Sequence, residues 1–188
     1  MSAARLGRGL IILDRDGVIN HDSDAFIKDT DEWQPLPGSI DAIAALSGAG
    51  FTLAVASNQS GIARGLFDQR ALDAMHHKMH ELVDAAGGRI SNIVICPHGP
   101  DDGCDCRKPK PGLLEQLAQH FETSLAGVPV IGDSLRDLEA AAAVGAKPIL
   151  VRTGNGTRTE AALPERFANI AVYNDLAAAA SGLLEEAG

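Results

Sequence analysis

The apolar run Leu10-Ile11-Ile12-Leu13 passes directly into Asp14-Arg15-Asp16-Gly17, and this junction restricts the fold more than any other stretch of the chain. A short apolar run of strand-formers is the pattern of a parallel strand buried on both faces. On extended backbone, residues two apart project to one side, so both carboxylates reach one point just past the strand end. Gly17 lets the chain turn there without a β-carbon. Open α/β sheets bind ligands at the carboxyl ends of their strands. D-x-D alone is equally consistent with a polar loop after a strand, and the later motifs decide between the two.

Beyond this junction, strand and helix signals alternate. Asn20 to Pro37 is polar and irregular, and Pro37-Gly38 leads into a helix over 39–50 with Ser39 as N-cap. Then follow a strand over 51–56, a loop over 57–65, a long helix over 68–86 and a strand over 90–95. The irregular segment 96–111 precedes a helix over 112–121, with Pro111 in its first turn. A strand over 128–131, a helix over 135–144, a strand over 148–151, a short sixth strand over 170–173 and a terminal amphipathic helix complete the chain. The alternation, with no dividing linker, predicts one α/β domain over 1–188 on a parallel sheet with right-handed crossovers.

Polar residues close three of these strands: Asp14 and Asp16, Ser57-Asn58, and Gly132-Asp133-Ser134. If they share a site, the first strand lies between the second and the fourth. The expected fold is therefore a doubly wound, Rossmann-like parallel sheet of order 3-2-1-4-5 with the sixth strand added. Neither of the first two strands is followed by an insertion large enough for a cap domain, so the site should be open and framed by loops.

A chain of 188 residues buries a core without staples. Its net charge of −9 argues against nucleic-acid or acidic-membrane partners, while a phosphorylated small molecule needs only a few local cations. No apolar segment approaches the roughly 20 residues of a membrane span, and Met1–Leu13 lacks the features of a signal peptide. The cytoplasm is the expected location.

Three converging carboxylates, Asp14, Asp16 and Asp133, repel by up to ~4 kcal/mol per pair at about 4 Å and an effective dielectric of about 20. Such a cluster needs a cation, and oxygen-only ligands favour Mg²⁺. The Ser57 hydroxyl and the backbone N–H groups of the turn 57–61 suit phosphate oxygens, and Lys108 adds a point charge. A carboxylate nucleophile, a second carboxylate for proton transfer, Mg²⁺ and a lysine together describe phosphoryl transfer. Separately, all three cysteines and one histidine fall in Cys96-x-His98-x₅-Cys104-x-Cys106. Cys₃His fits a closed tetrahedral structural Zn²⁺ site, with spacings tighter than those of common zinc fingers. A disulfide is disfavoured in a cytoplasmic chain.

In order, Asp14-x-Asp16-Gly17, Ser57-Asn58, Lys108-Pro109 and Gly132-Asp133-Ser-x-x-Asp137 resemble the four motifs of haloacid-dehalogenase-like phosphatases, over about residues 9 to 145. The segments 14–20, 58–65 and 104–109 are similar to members of that family that hydrolyse sugar bisphosphates. The resemblance implies Asp14 as nucleophile and Asp16 as general acid, then base. It implies Mg²⁺ held by Asp14, Asp16 (through its carbonyl) and Asp133. Ser57 and Lys108 would hold the transferring phosphoryl group, with Asn58, Gln59 and Ser60 completing the phosphate-binding turn. Arg107 would recognise the substrate, and Arg64 serves either a second phosphate or a local salt bridge. The resemblance also implies a monomer. Ser134 is a departure, since some members carry a lysine there. Histidinol-phosphate phosphatases share the acid pair and a similar zinc loop, but the turn Gly61-Ile62-Ala63-Arg64 favours the sugar bisphosphate enzymes. A phosphoacceptor receiver domain would carry its reactive aspartate after the third strand, where this chain has Cys96.

Other features have plainer readings. His76, His77 and His80 lack the glutamate of a zinc-hydrolase motif and read as a solvated helix face. Gly7-Arg8-Gly9 and Gly154-Asn155-Gly156 read as turns. Phe26 and Trp33 anchor the long loop or flank the site mouth.

Overall fold

A strand buried on both faces needs neighbours on both edges and a layer above and below. β1 (Gly9–Leu13) has all of these in the computed structural model of the chain, with Leu10 to Leu13 buried. Residues 7–188 are described, and the first six residues of the expected domain lie outside that range. β1 pairs in parallel with β2 (Phe51–Asn58) on one side and β4 (Pro129–Gly132) on the other. Adding β3 (Asn92–Cys96), β5 (Lys147–Val151) and β6 (Ala171–Tyr173) gives the order β3-β2-β1-β4-β5-β6, with every pairing parallel. The sheet is therefore the one expected, with the sixth strand at an edge.

Period-2 alternation along β1 and β2 divides the interior into two cores. Ile11, Leu13, Leu53 and Val55 face α1 (Ser39–Gly48), α2 (Gln69–Ala85) and α6 (Leu176–Ala187) through residues such as Ile43, Met75, Met79 and Leu183. Leu10, Ile12, Ala54 and Ala56 face α3 (Gly112–His120) and α4 (Leu135–Ala143) through Leu113, Leu117, Ala140 and Ala141. Helices on both faces leave the carboxyl ends of β1, β2 and β4 side by side at one edge of the sheet. Among the described residues, no helix is long and apolar enough to cross a membrane.

Three local readings change. β2 runs to Asn58, so Ser57 and Asn58 belong to the strand and not to the loop after it. The N-cap of α1 is Gly38, at φ +75°, and not Ser39. That left-handed conformation suits glycine, and Ser39 instead donates its hydroxyl to the Ile19 carbonyl at 2.7 Å. Gly154-Asn155-Gly156 is more than a turn, since it leads into the short helix α5 (Gly156–Ala161), which has no apolar periodicity to announce it.

The loop over 20–37 is tied down by Trp33, which is fully buried in the α1/α2 core. Lys78 of α2 donates to the carbonyls of Thr30 and Trp33 at 2.7 and 2.8 Å, its ammonium 5.7 Å from the indole centroid. Phe26, in contrast, is only partly buried and flanks the site mouth. Trp33→Ala should therefore lower unfolding free energy by about 3–5 kcal/mol, read as a shift in the urea midpoint at unchanged slope. A change below about 1 kcal/mol would show that the loop does not depend on this anchor.

Candidate active site

The Asp14 N–H extends the sheet by bonding the Ile131 carbonyl at 2.9 Å, which sets the end of β1 beside that of β4. The carboxylates of Asp14, Asp133 and Asp137 consequently converge, each offering an oxygen within 4.8 Å of the others. Asp133 follows β4, and its Oδ2 accepts from the Asn155 backbone N–H at 2.7 Å and from its side-chain amide at 3.2 Å. Two glycines make room for that carboxylate. A β-carbon on Gly17 would lie 2.1 Å from Asp133 Oδ2 and one on Gly154 2.2 Å, and both residues have positive φ, +80° and +56°. No other residue type fits either position without displacing Asp133.

Lys108 is buried in the centre of this group. Its ammonium lies 2.6 Å from Asp137 Oδ1 and 3.1 Å from Asp14 Oδ1, and it donates to the Ala56 carbonyl at 2.8 Å. Asp137 also accepts from the Ser134 N–H and hydroxyl at 3.1 and 2.6 Å. Burial opposes its ionisation, yet the Lys108 charge and these bonds hold its carboxyl below the usual carboxylate range. Asp14 is not so compensated. Burial first, then Asp137, Asp133 and Asp16, raise it well above the ordinary value despite Lys108. Asp133 is pushed up to about 7 by burial and by Asp137, against the bonds from Asn155. Two buried carboxylates short of positive charge, on oxygen-only donors, are the chemistry of a hard divalent cation site.

Asp16 faces elsewhere. Its Oδ1 accepts from Arg15 Nε at 3.0 Å and Asn20 Nδ2 at 2.8 Å, and its Oδ2 from Arg15 Nη2 at 3.1 Å and Gln59 Nε2 at 2.9 Å. The side chain therefore lies outside the three-carboxylate group, where the sequence had placed it, and Asp137 stands there instead. Gln59 Nε2 also donates to the Ser57 hydroxyl at 2.8 Å. Asn58 holds the Lys108 backbone in both directions, accepting from its N–H at 3.0 Å and donating to its carbonyl at 3.1 Å. These two side-chain amides hold Asp16, Ser57 and Lys108 in place, while both residues line the cavity. Ser60 lines the cavity beside Ser57, Asn58 and Gln59.

Cys96, His98, Cys104 and Cys106 converge. Their donor atoms are 3.1 Å apart for Cys106 and Cys96, 3.3 Å for His98 and Cys106, and 3.6 Å for Cys96 with either His98 or Cys104. Zn–S bonds of about 2.3 Å give tetrahedron edges of roughly 3.8 Å, so the group needs only slight expansion to hold zinc. Burial and the Cys106 thiol push Cys96 up to about 12, whereas the Arg107 N–H and the neighbouring thiols, against desolvation, bring Cys104 to about 7. Arg107 leaves this loop with Nη1 on the His98 carbonyl at 3.2 Å.

Around the acids lies an open cavity of about 410 Å³, whose rim carries Arg64, Arg107, Arg136 and Arg158. Partial burial, then Arg136 and Arg64, depress the Arg107 guanidinium below its ordinary value. Arg64 lies 5.5 Å from the Phe26 ring centroid and makes no salt bridge among the described residues. Asn155, Gly154, Arg136 and Arg158 were not anticipated from sequence. Only Arg136 carried a usable signal, standing beside Asp137 in the first turn of a helix that begins at the site. His76 departs from the expected solvated face, because it is partly buried with Nε2 3.5 Å from Arg15 Nη1. Gly17→Ala should cost roughly 100-fold in phosphate-ester turnover by misplacing Asp133, with the circular dichroism spectrum unchanged. Turnover within about twofold of the parent chain would show that Asp133 need not sit where the two glycines put it.

Two family models match the chain, one described as polynucleotide kinase 3 phosphatase over residues 10–134 and one as HAD-hydrolase-like over 105–179. The chain is 58% identical over 181 residues to the D-glycero-beta-D-manno-heptose-1,7-bisphosphate 7-phosphatase of Pseudomonas aeruginosa, covering 96% of this chain and 100% of that one. It is 38% identical over 160 residues to the enzyme of that name from Escherichia coli O6:H1, covering 80% and 83%. The crystal structure of D,D-heptose 1,7-bisphosphate phosphatase from Bordetella bronchiseptica, complexed with magnesium and phosphate, superposes with a TM-score of 0.91 at 57% identity, covering 95% and 99%. Strand-end motifs in the order of haloacid-dehalogenase-like hydrolases, carried on a sequence alike from end to end, place this chain in the D-glycero-β-D-manno-heptose-1,7-bisphosphate 7-phosphatase family.

Proposed function

We propose that this chain removes the C7 phosphate of D-glycero-β-D-manno-heptose 1,7-bisphosphate through an aspartyl phosphate on Asp14, a step toward the heptose of lipopolysaccharide. As a phosphoric monoester hydrolase it has a small-molecule sugar phosphate as substrate. The observation that carries the mechanism is Asp14 at the end of β1, its Oδ1 3.1 Å from a buried lysine and its carboxylate beside Asp133. The β-anomer is the one in the names of the relatives. A net charge of −9 disfavours a polynucleotide substrate.

On this reading an Asp14 oxygen attacks phosphorus, an O–P bond forms and the bond from phosphorus to the C7 oxygen breaks. Asp16, at the cavity wall, gives that oxygen a proton and later takes one from the water that opens the acyl phosphate. Ser57 and Lys108 hold the phosphoryl oxygens. Asp14, the Asp16 carbonyl and Asp133 would hold Mg²⁺, which screens the phosphate dianion from these carboxylates. Cys96, His98, Cys104 and Cys106 would hold a structural Zn²⁺ that keeps Arg107 and Lys108 in place. Arg107 is the first candidate for the retained C1 phosphate and Arg64 the second, with Arg136 beside them. Three free thiols suit the reducing cytoplasm, where we place the enzyme as a monomer.

The test is kcat/KM for the heptose bisphosphate against histidinol phosphate on one preparation. The bisphosphate should win, since the rim arginines repel the amine of histidinol phosphate, and Asp14→Asn should lose at least ~1,000-fold in kcat with either. A preference for histidinol phosphate overturns the substrate, and an active Asp14→Asn overturns the covalent route.

Metal removal gives a further check. With no cation, folded Asp133 binds its proton at about 7 in place of a value near 4. Between those values the folded state holds more protons than the unfolded state, so this group's contribution to stability falls as pH rises. The rise in Tm on adding Mg²⁺ to metal-stripped protein should therefore grow from about pH 5 to about pH 8. An increment that is flat across this range would remove Asp133 as a ligand.

A further inference from the structure

Arg15 stands between the two carboxylates of the opening motif, and no step above employs it. Its side chain is fully buried, which an arginine tolerates only when its donors are met. The backbone of Arg15 serves the loop, with its N–H on Asp14 Oδ1 at 2.7 Å and its carbonyl accepting from Ile19 at 2.8 Å. The side chain contributes nothing to that. Nε and Nη2 fork onto Asp16 at 3.0 and 3.1 Å, Nη2 also meets Gln59 Oε1 at 3.1 Å, and Nη1 lies 3.5 Å from His76 Nε2.

A planar guanidinium that forks onto a carboxylate fixes the plane of that carboxylate. Arginine only donates, so His76 Nε2 is the acceptor and the ring proton sits on Nδ1. Burial and the Arg15 charge lower His76 to about 4, which keeps the ring neutral and able to accept. His76 thus backs the end of the guanidinium that faces away from Asp16, from a helix on the other side of the loop.

We propose that Arg15, seated against His76, is a positioning residue that aims the Asp16 carboxyl group at the leaving-group oxygen. This rests on the reading of Asp16 as general acid. His76 touches neither Asp16 nor the metal-site carboxylates, so it reports on the arginine without removing a reacting group.

The experiment measures kcat/KM, which reports the steps through departure of the leaving group, on the full chain with its metals. The heptose bisphosphate expels an alkoxide that needs a proton, whereas p-nitrophenyl phosphate expels a stable phenolate. His76→Leu should lower kcat/KM about tenfold for the bisphosphate and less than about twofold for p-nitrophenyl phosphate. His76→Gln, whose amide oxygen can accept from Nη1, should recover most of that loss. Arg15→Lys keeps the charge but not the fork and should show the same selective loss, which covers the case of a poorly folding His76→Leu. Equal losses on both esters, no loss on either, or no recovery in His76→Gln would overturn the positioning role. Asp16→Asn in the same assay separates the two ideas. If its own loss is not selective for the alkyl ester, the general-acid reading falls, and this proposal with it.

Discussion

The buried ammonium of Lys108 is the interaction on which the site depends. It meets a carboxylate from the end of β1, another from the first turn of α4 and the carbonyl of Ala56 in β2. Burying one charge without partners would be prohibitive, and burying it among acids from separate elements makes those elements mutually dependent. Removing either carboxylate would leave the lysine underpaired, and removing the lysine would leave carboxylates in mutual repulsion. The group is therefore unlike a surface ion pair, which contributes little. It adds a side-chain tie between strand ends that the sheet pairing already brings side by side.

Lys108 is itself held from two directions. Behind it lies the Cys/His loop, and in front Asn58 bonds both polar groups of its backbone. The loop has no regular structure between Cys96 and Gly112, so a rigid backbone there must come from cross-links of this kind. Asn58 acts here as a clamp, and Lys108 takes its position from it.

The sheet order was legible because polar residues stood at the ends of alternating apolar runs, and ligands gather where those ends meet. The convergence of Asp14 with Asp133 and of the four Cys/His positions was legible for a related reason, as chemistry-bearing side chains at strand ends or in a tight cluster, whereas Asp137 and not Asp16 completes the carboxylate group. Apart from the rim arginines Arg136 and Arg158, much of what escaped acts through the backbone. Gly154 contributes the absence of a β-carbon and Asn155 a backbone N–H, and neither leaves a pattern in a single sequence. α5 is too short to show a period. His76 was misplaced because helical spacing assigns a face but cannot reveal that a buried arginine from another element comes up against it. That the amides of Gln59 and Asn58 also hold protein groups could not be read from their adjacency to Ser57, because those partners come from other parts of the chain.

Among the described residues, loops and rim arginines frame the cavity and no separate domain folds over it. The sugar body of a bound substrate then becomes the wall between the reacting phosphorus and bulk water. On the proposed reading, substrate exchange then needs no hinge between domains. On the same reading, the departure of the sugar monophosphate opens the acyl phosphate directly to bulk water.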